Sequence, residues 1–174
     1  MIVKVRFIGT GGQGNVLAAH VLGDAAVRSG YNAVQTSMYS AQVRGAPTRA
    51  DVIISDEEIF DIRAEDPDYL VAMSQDAVMA FRNLKPRVVV AEEHILNIPY
   101  ECEKIHKIHA IKISKELGSI SVQNMVFLGF LIRVMRVIDI KVVEESIRDI
   151  VSPKWVEIDI KALRRGWDAA GNSV

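Results

Sequence analysis

The chain has a single cysteine, Cys102, among 174 residues. That excludes an internal disulfide framework and any iron–sulfur cluster held by four cysteines of this chain, and it suits a reducing cytoplasm. Net charge is also nearly absent, at −1 from 21 basic and 22 acidic residues. With no basic field and no polybasic segment, neither a nucleic acid nor a membrane surface is an expected partner. A membrane span is missing too: the most apolar stretch, Val122 to Ile138, is too short and carries Arg133 and Arg136. The N-terminus shows no secretory leader, and no repeat or low-complexity segment interrupts the chain. What remains is ordinary for a globular protein, 49% apolar and 25% charged. One cytoplasmic domain over residues 1–174 is the expectation, with helices at its C-terminal end from about residue 122.

The most informative stretch is the first. Ile2 to Ile8 is a β-branched run that enters Gly9-Thr10-Gly11-Gly12-Gln13-Gly14 and leaves as the helix-favouring Asn15-Val16-Leu17-Ala18-Ala19. Glycine is required where φ is positive or where a backbone approaches something closely. A strand feeding a helix through such a turn presents unpaired amides at the helix start, the end that attracts anions. Val3, Val5 and Phe7 fall on one side of the strand, and Ile2 and Ile8 on the other, as in a strand covered on both faces. A helix from about Gln13 to Arg28 follows, stopped by Gly30. Asn32 to Thr36 is expected to complete a βαβ unit.

Further along, Thr48 to Ser55, Tyr69 to Met73, Arg87 to Ala91 and Lys104 to Ala110 read as strands. Ser74 or Gln75 to about Asn83, Ile111 to Leu117 (closed by Gly118), Val122 to Ile138, Lys141 to Val151 and a last segment opened by Pro153 read as helices. An apolar helix such as Val122–Ile138 must be buried, by its own domain and by a partner chain. The alternation predicts an α/β fold: a three-layer α/β/α domain with a mostly parallel, mixed sheet and a Rossmann-like start.

Gly9, Gly11 and Gly14 fit the dinucleotide-binding spacing. An acidic residue should then end the second strand to hold the ribose, but that place reads Ala33-Val34-Gln35-Thr36-Ser37. A phosphate-bearing ligand and a ligand-free structural turn both remain open. Cys102, His106 and His109, with His94 upstream, match no standard zinc spacing, so no metal site is expected. His20 reads as a satisfied or solvent-facing side chain, and Asp56-Glu57-Glu58 as a solvated turn.

Several motifs in one register carry a resemblance. Gly9-x-Gly11-Gly12-Gln13-Gly14, Thr36-Ser37-Met38-Tyr39, Arg44-Gly45, Arg49 to Asp56, Pro67 to Ala72 and Asn124-Met125-Val126-x-Leu128-Gly129 resemble the gamma subunits of 2-oxoacid:ferredoxin oxidoreductases. The run Asp51 to Ile59 is most similar to the 2-oxoglutarate type. The family's central loop, Tyr-Gly-Pro-Glu-x-Arg-Gly-Gly, stands here as Tyr39-Ser40-Ala41-Gln42-Val43-Arg44-Gly45-Ala46, with two glycines, a proline and a glutamate replaced.

The resemblance implies a subunit of an assembly that decarboxylates a 2-oxoacid, reduces ferredoxin and releases an acyl-CoA. Thiamine diphosphate, magnesium and [4Fe-4S] clusters would reside on partner subunits, among them a thiamine-diphosphate-binding and a ferredoxin-like chain. This chain would hold no catalytic residue and no cofactor alone. It would line the coenzyme A entrance with Gly11, Gly12, Gln13, Gly14, Arg44 and Gly45, while Tyr39 and Asn124 are secondary candidates. Arg44 would bind a phosphate, a substrate carboxylate or a partner subunit, and Asn124 would bind or simply cap its helix. Other readings are a subunit of indolepyruvate:ferredoxin oxidoreductase, a free-standing dinucleotide-dependent oxidoreductase, and a scaffold subunit.

Overall fold

The computed structural model of the chain describes residues 1–38 and 45–171. Six strands, β1 (Ile2–Thr10), β2 (Asn32–Met38), β3 (Pro47–Ser55), β4 (Tyr69–Ala72), β5 (Val88–Glu92) and β6 (Lys104–Ile108), form one sheet in the spatial order β2-β3-β1-β4-β5-β6. β1, β4, β5 and β6 run parallel, whereas β3 is antiparallel to both of its neighbours. The sheet is therefore mixed and mostly parallel, as expected.

The expected βαβ unit is corrected in one respect. α1 (Asn15–Arg28) does cross between β1 and β2, but β3 is inserted between these two strands. The reason lies in composition. β3 is buried without a break from Ala50 to Ser55, whereas β2, with Asn32, Gln35, Thr36 and Ser37, has no fully buried residue. The apolar strand takes the interior position, and the polar one becomes the edge that faces water.

Helices cover the two faces unequally. On the first face pack α1, α3 (Ala110–Glu116), α4 (Gln123–Met135), α5 (Ile140–Ile150) and α6 (Pro153–Ala170). Val5, Phe7, Val52, Ile54, Val71 and Val90 meet Leu22, Phe127, Phe130 and Leu163 there. On the second face, Ile8, Leu70, Val89 and Ala91 pack against α2 (Gln75–Ala80), Ile95 and Tyr100. α2 ends three residues before the expected Asn83. The Tyr100 hydroxyl bonds the carbonyls of Val78 and Phe81, each at 3.2 Å, in the place of continuing helical amides.

α4 is shorter than the apolar run that encodes it, because Arg136, at φ 55°, turns the backbone out of the helix. Every residue from Val122 to Ile132 is buried by the chain itself, so no partner is needed to cover it. α6 does much of this. A Cβ on Gly129 would run into the Leu163 carbonyl, and one on Gly166 into the Val126 carbonyl, so two glycines let the helix backbones touch.

Candidate functional site

β1 delivers the glycine turn to the edge of the parallel strands, where its own side chains lock it. The Gln13 amide closes the turn on the Thr10 carbonyl at 3.1 Å, and the Gly11 amide donates to the Ala46 carbonyl at 3.1 Å. Gln13 folds its side chain back inward. Its Oε1 accepts from the Thr10 amide at 2.8 Å and from the Thr10 hydroxyl at 3.2 Å, while Nε2 donates to the Met73 carbonyl at 3.3 Å. Both ends of this amide group are thus engaged within the chain.

Gly14 occupies the left-handed region at φ 79° and caps α1 without a side-chain bond. Asn124, at the start of α4 and 2% exposed, reaches across to it: Nδ2 donates to the Gly14 carbonyl at 3.1 Å, and Oδ1 accepts from the Met125 amide at 2.9 Å. The side chain therefore holds one of its helix's first amides and also ties α4 to the turn. Asn15 makes a third tie, from Nδ2 to the Thr48 hydroxyl at 2.9 Å, and that hydroxyl donates on to the Gly9 carbonyl at 3.3 Å.

Gly11, Gly12, Gln13, Gly14, Gly45 and Asn124 are thus brought to one place; the Gly45 amide lies 3.7 Å from where a Cβ of Gly11 would stand. Gly45 itself sits at φ 85°. Tyr39 and Arg44 lie outside the described residues. Among the described residues, the amides of Gly12 and Gly14 have no acceptor. Gly12 is exposed, with nothing within 4 Å of a would-be Cβ. Two unpaired amides at the positive end of a 14-residue helix are a place for an anion. They do not form a dinucleotide site of the usual kind. The inserted β3 moves the end of β2 two strand spacings from β1, roughly 10 Å, so a ribose-binding acid there would be out of reach.

The other polar groups are dispersed. Cys102 packs in the second-face core, while His106 is buried against Phe130 on the first face, ring centroids 5.6 Å apart. Burial and nearby Lys104 hold the His106 pKa down. His94 meets Glu92 at 3.3 Å, and the exposed His20 meets Gln35 at 3.2 Å. Among the described residues no three His, Cys, Asp or Glu side chains are placed to share a metal. Asp56 in the acidic turn is exposed and pairs with the N-terminal ammonium, which lowers its pKa.

Two arrangements were not foreseen from the sequence. Arg6 on β1 and Asp51 on β3 stand directly opposite and form a two-point ion pair, Nε–Oδ1 2.6 Å and Nη2–Oδ2 2.8 Å, with side chains 5% and 4% exposed. With Thr36 and Arg49 they line a cavity of about 600 Å³ on the second face. The available signal was a lone arginine in an apolar strand and the Arg49-x-Asp51 alternation. The second is Asp159, 5% exposed on α6, whose carboxyl is pushed up to about 6 by burial.

Comparison with known proteins follows the same outline. The family described as pyruvate ferredoxin/flavodoxin oxidoreductase matches residues 4–169. The 2-oxoglutarate synthase subunit KorC of Methanothermobacter thermautotrophicus is 35% identical, over 94% of this chain and 92% of its own. Pyruvate synthase subunit PorC of Methanothermobacter marburgensis is 30% identical over 99% of both. Among solved structures, the keto/oxoacid ferredoxin oxidoreductase gamma subunit of Geobacter sulfurreducens superposes with a TM-score of 0.83 at 28% identity, covering 99% of this chain and 98% of that one. With its mixed sheet, its glycine turn and its end-to-end match to such subunits, the chain belongs to the pyruvate ferredoxin/flavodoxin oxidoreductase family.

Proposed function

We propose that this chain is the gamma-type subunit of a 2-oxoglutarate:ferredoxin oxidoreductase, and that its glycine turn lines the path by which coenzyme A reaches the catalytic centre. In that reaction the oxoacid loses carbon dioxide, an electron pair passes to ferredoxin, and the acyl group is taken by the thiol of coenzyme A with release of a proton. The end-to-end match to KorC, ahead of PorC in identity, supports 2-oxoglutarate as the oxoacid.

The observation that carries the coenzyme A reading is the pair of amides at Gly12 and Gly14 that have no acceptor among the described residues, at the start of α1 and open to solvent at Gly12. They suit a phosphate of the coenzyme, and the Gln13, Asn15 and Asn124 ties keep them in place before it arrives. Arg44, next to Gly45, would add a planar two-point donor for a phosphate or carboxylate. The cluster chemistry has no fit here: the lone Cys102, half-buried against the second-face core, cannot supply a cluster's four ligands. Thiamine diphosphate, magnesium and [4Fe-4S] clusters are assigned to partner subunits, one thiamine-binding and one ferredoxin-like. We place the assembly in the cytoplasm; among the described residues no helix is long and apolar enough to cross a membrane.

The test is the reconstituted complex carrying Gly12→Ala or Arg44→Ala. For Arg44→Ala the expected result is a KM for coenzyme A raised ~10-fold or more, the size of one lost charge-assisted hydrogen bond, with a smaller change for the oxoacid. Gly12→Ala keeps its amide but adds a methyl at a backbone of φ 92°, and should raise the same KM by displacing that amide. Unchanged KM values in an intact assembly would remove the coenzyme role.

A further inference from the structure

Beside the glycine turn, three helix ends enclose a second cavity of about 320 Å³. Leu17 of α1, Asn124 of α4, Ile150 and Val151 at the end of α5, and Trp155 and Asp159 of α6 line it. The walls are mostly apolar, yet one of them holds a carboxyl group. Asp159 has no hydrogen-bonding or ionic partner among the described residues, although it is 5% exposed. An ionised carboxylate in such a place is costly unless a counter-charge reaches it. Lys161, two residues on, is taken by Glu157 at 3.0 Å, and Lys154, with its ammonium 6.0 Å from the Trp155 ring, forms no ion pair among the described residues.

We infer that this cavity is a socket for a single arginine side chain of a partner subunit in the assembled enzyme. Trp155 and Asp159 are four residues apart on one helix and so share a face. An aromatic wall and a carboxylate side by side are what a guanidinium recognises, by stacking and by a forked hydrogen bond. Leu17, Ile150 and Val151 supply the apolar surface that its methylene stem requires. The volume is at the small end for ligand sites, roughly 300–1,000 Å³, which fits one side chain better than a nucleotide. The carboxylate has no partner among the described residues of the free subunit because its partner arrives with another chain. This inference rests on the chain being one subunit of an assembly, and it is independent of the coenzyme A path.

Asp159→Asn and Asp159→Ala in the reconstituted complex test it, with two separate readouts. The first is the affinity of this chain for the remaining subunits; the second is its own urea unfolding at pH 7.5. Asp159→Asn should leave the free chain at least as stable as the wild type, while weakening assembly by ~10–100-fold, the loss expected for a charge-assisted bond. Millimolar n-butylguanidine should compete with assembly of the wild type and have no effect on the variant. Unchanged assembly affinity overturns the inference. So does a free chain destabilised enough to account for the weaker assembly, since Asp159 would then serve folding. Intact assembly with a raised KM for coenzyme A also overturns it, and would move the cavity to the coenzyme path. Loss of assembly with an unchanged KM at saturating subunit leaves the two readings cleanly separated.

Discussion

Gly14→Ala is the sharpest perturbation of the glycine turn, because two costs meet there. The residue sits at φ 79°, in the left-handed region, where an alanine costs ~1–2 kcal/mol. Its new Cβ would also stand 2.5 Å from Asn124 Nδ2 and 2.9 Å from its Cγ, so the asparagine must swing away. That movement breaks the bond to the Gly14 carbonyl and leaves buried polar atoms unpaired, at ~1–3 kcal/mol. The expected loss is ~2–5 kcal/mol, a fall in Tm on the order of 10 °C for a chain of this size. Gly12→Ala is the control: its φ is 92°, but nothing lies within 4 Å of the added carbon, so only the backbone cost of ~1–2 kcal/mol applies. In a double-mutant cycle, Gly14→Ala with Asn124→Ala should cost at least ~1 kcal/mol less than the sum of the single changes. Chemical denaturation of the purified subunit measures all four. Equal losses at Gly12 and Gly14, or strict additivity, would refute the proposed tie between the turn and α4.

Other perturbations probe the frame around the turn. Asp51→Ala strands the buried Arg6 guanidinium and should cost ~3–5 kcal/mol in urea unfolding, whereas Arg6→Met with Asp51→Leu should be nearly neutral. Gly129→Ala and Gly166→Ala each push a methyl into a facing carbonyl and should lower stability by on the order of 3 kcal/mol, the upper range for overpacking. A milder effect would mean that α4 and α6 can separate easily. Asp159→Asn should stabilise the free subunit in a pH-dependent way. Burial raises the folded carboxyl from 3.8 to about 6, so between these values the folded state binds the extra proton and the wild type loses stability as pH rises. The gain from Asn should be near zero at about pH 4 and reach ~2–3 kcal/mol above about pH 7. A gain independent of pH would show that burial of the charge is not its cause.

Much of this architecture could be read from local pattern. The glycine turn, and the stops at Gly30 and Gly118 (φ 88° and 96°), follow from residues whose backbone preferences are stated on the spot. Strand order does not. The insertion of β3 between β1 and β2 depends on which strand buries more surface, a comparison between segments rather than a property of either one. The Arg6–Asp51 pair joins residues 45 apart, and it becomes visible only once the register is known. Asp159 lies on an amphipathic helix, where a charge ordinarily marks the solvated face; it is enclosed because α1 and α4 begin and α5 ends around it. Of the candidate site, the glycines and Asn124 were legible as residues, but the inward fold of the Gln13 side chain was not. Its partner, the Met73 carbonyl, lies 60 residues away.

The most direct measurement is hydrogen exchange of the assembled enzyme with and without coenzyme A. Peptides spanning Gly9–Leu17 and Gly45–Thr48 should exchange more slowly when the coenzyme is bound, because the amides at Gly12 and Gly14 acquire an acceptor. Peptides over β5 and β6 should be unaffected. Unchanged exchange at the turn, with slowing elsewhere in this subunit, would contradict the assignment of the turn to the coenzyme path.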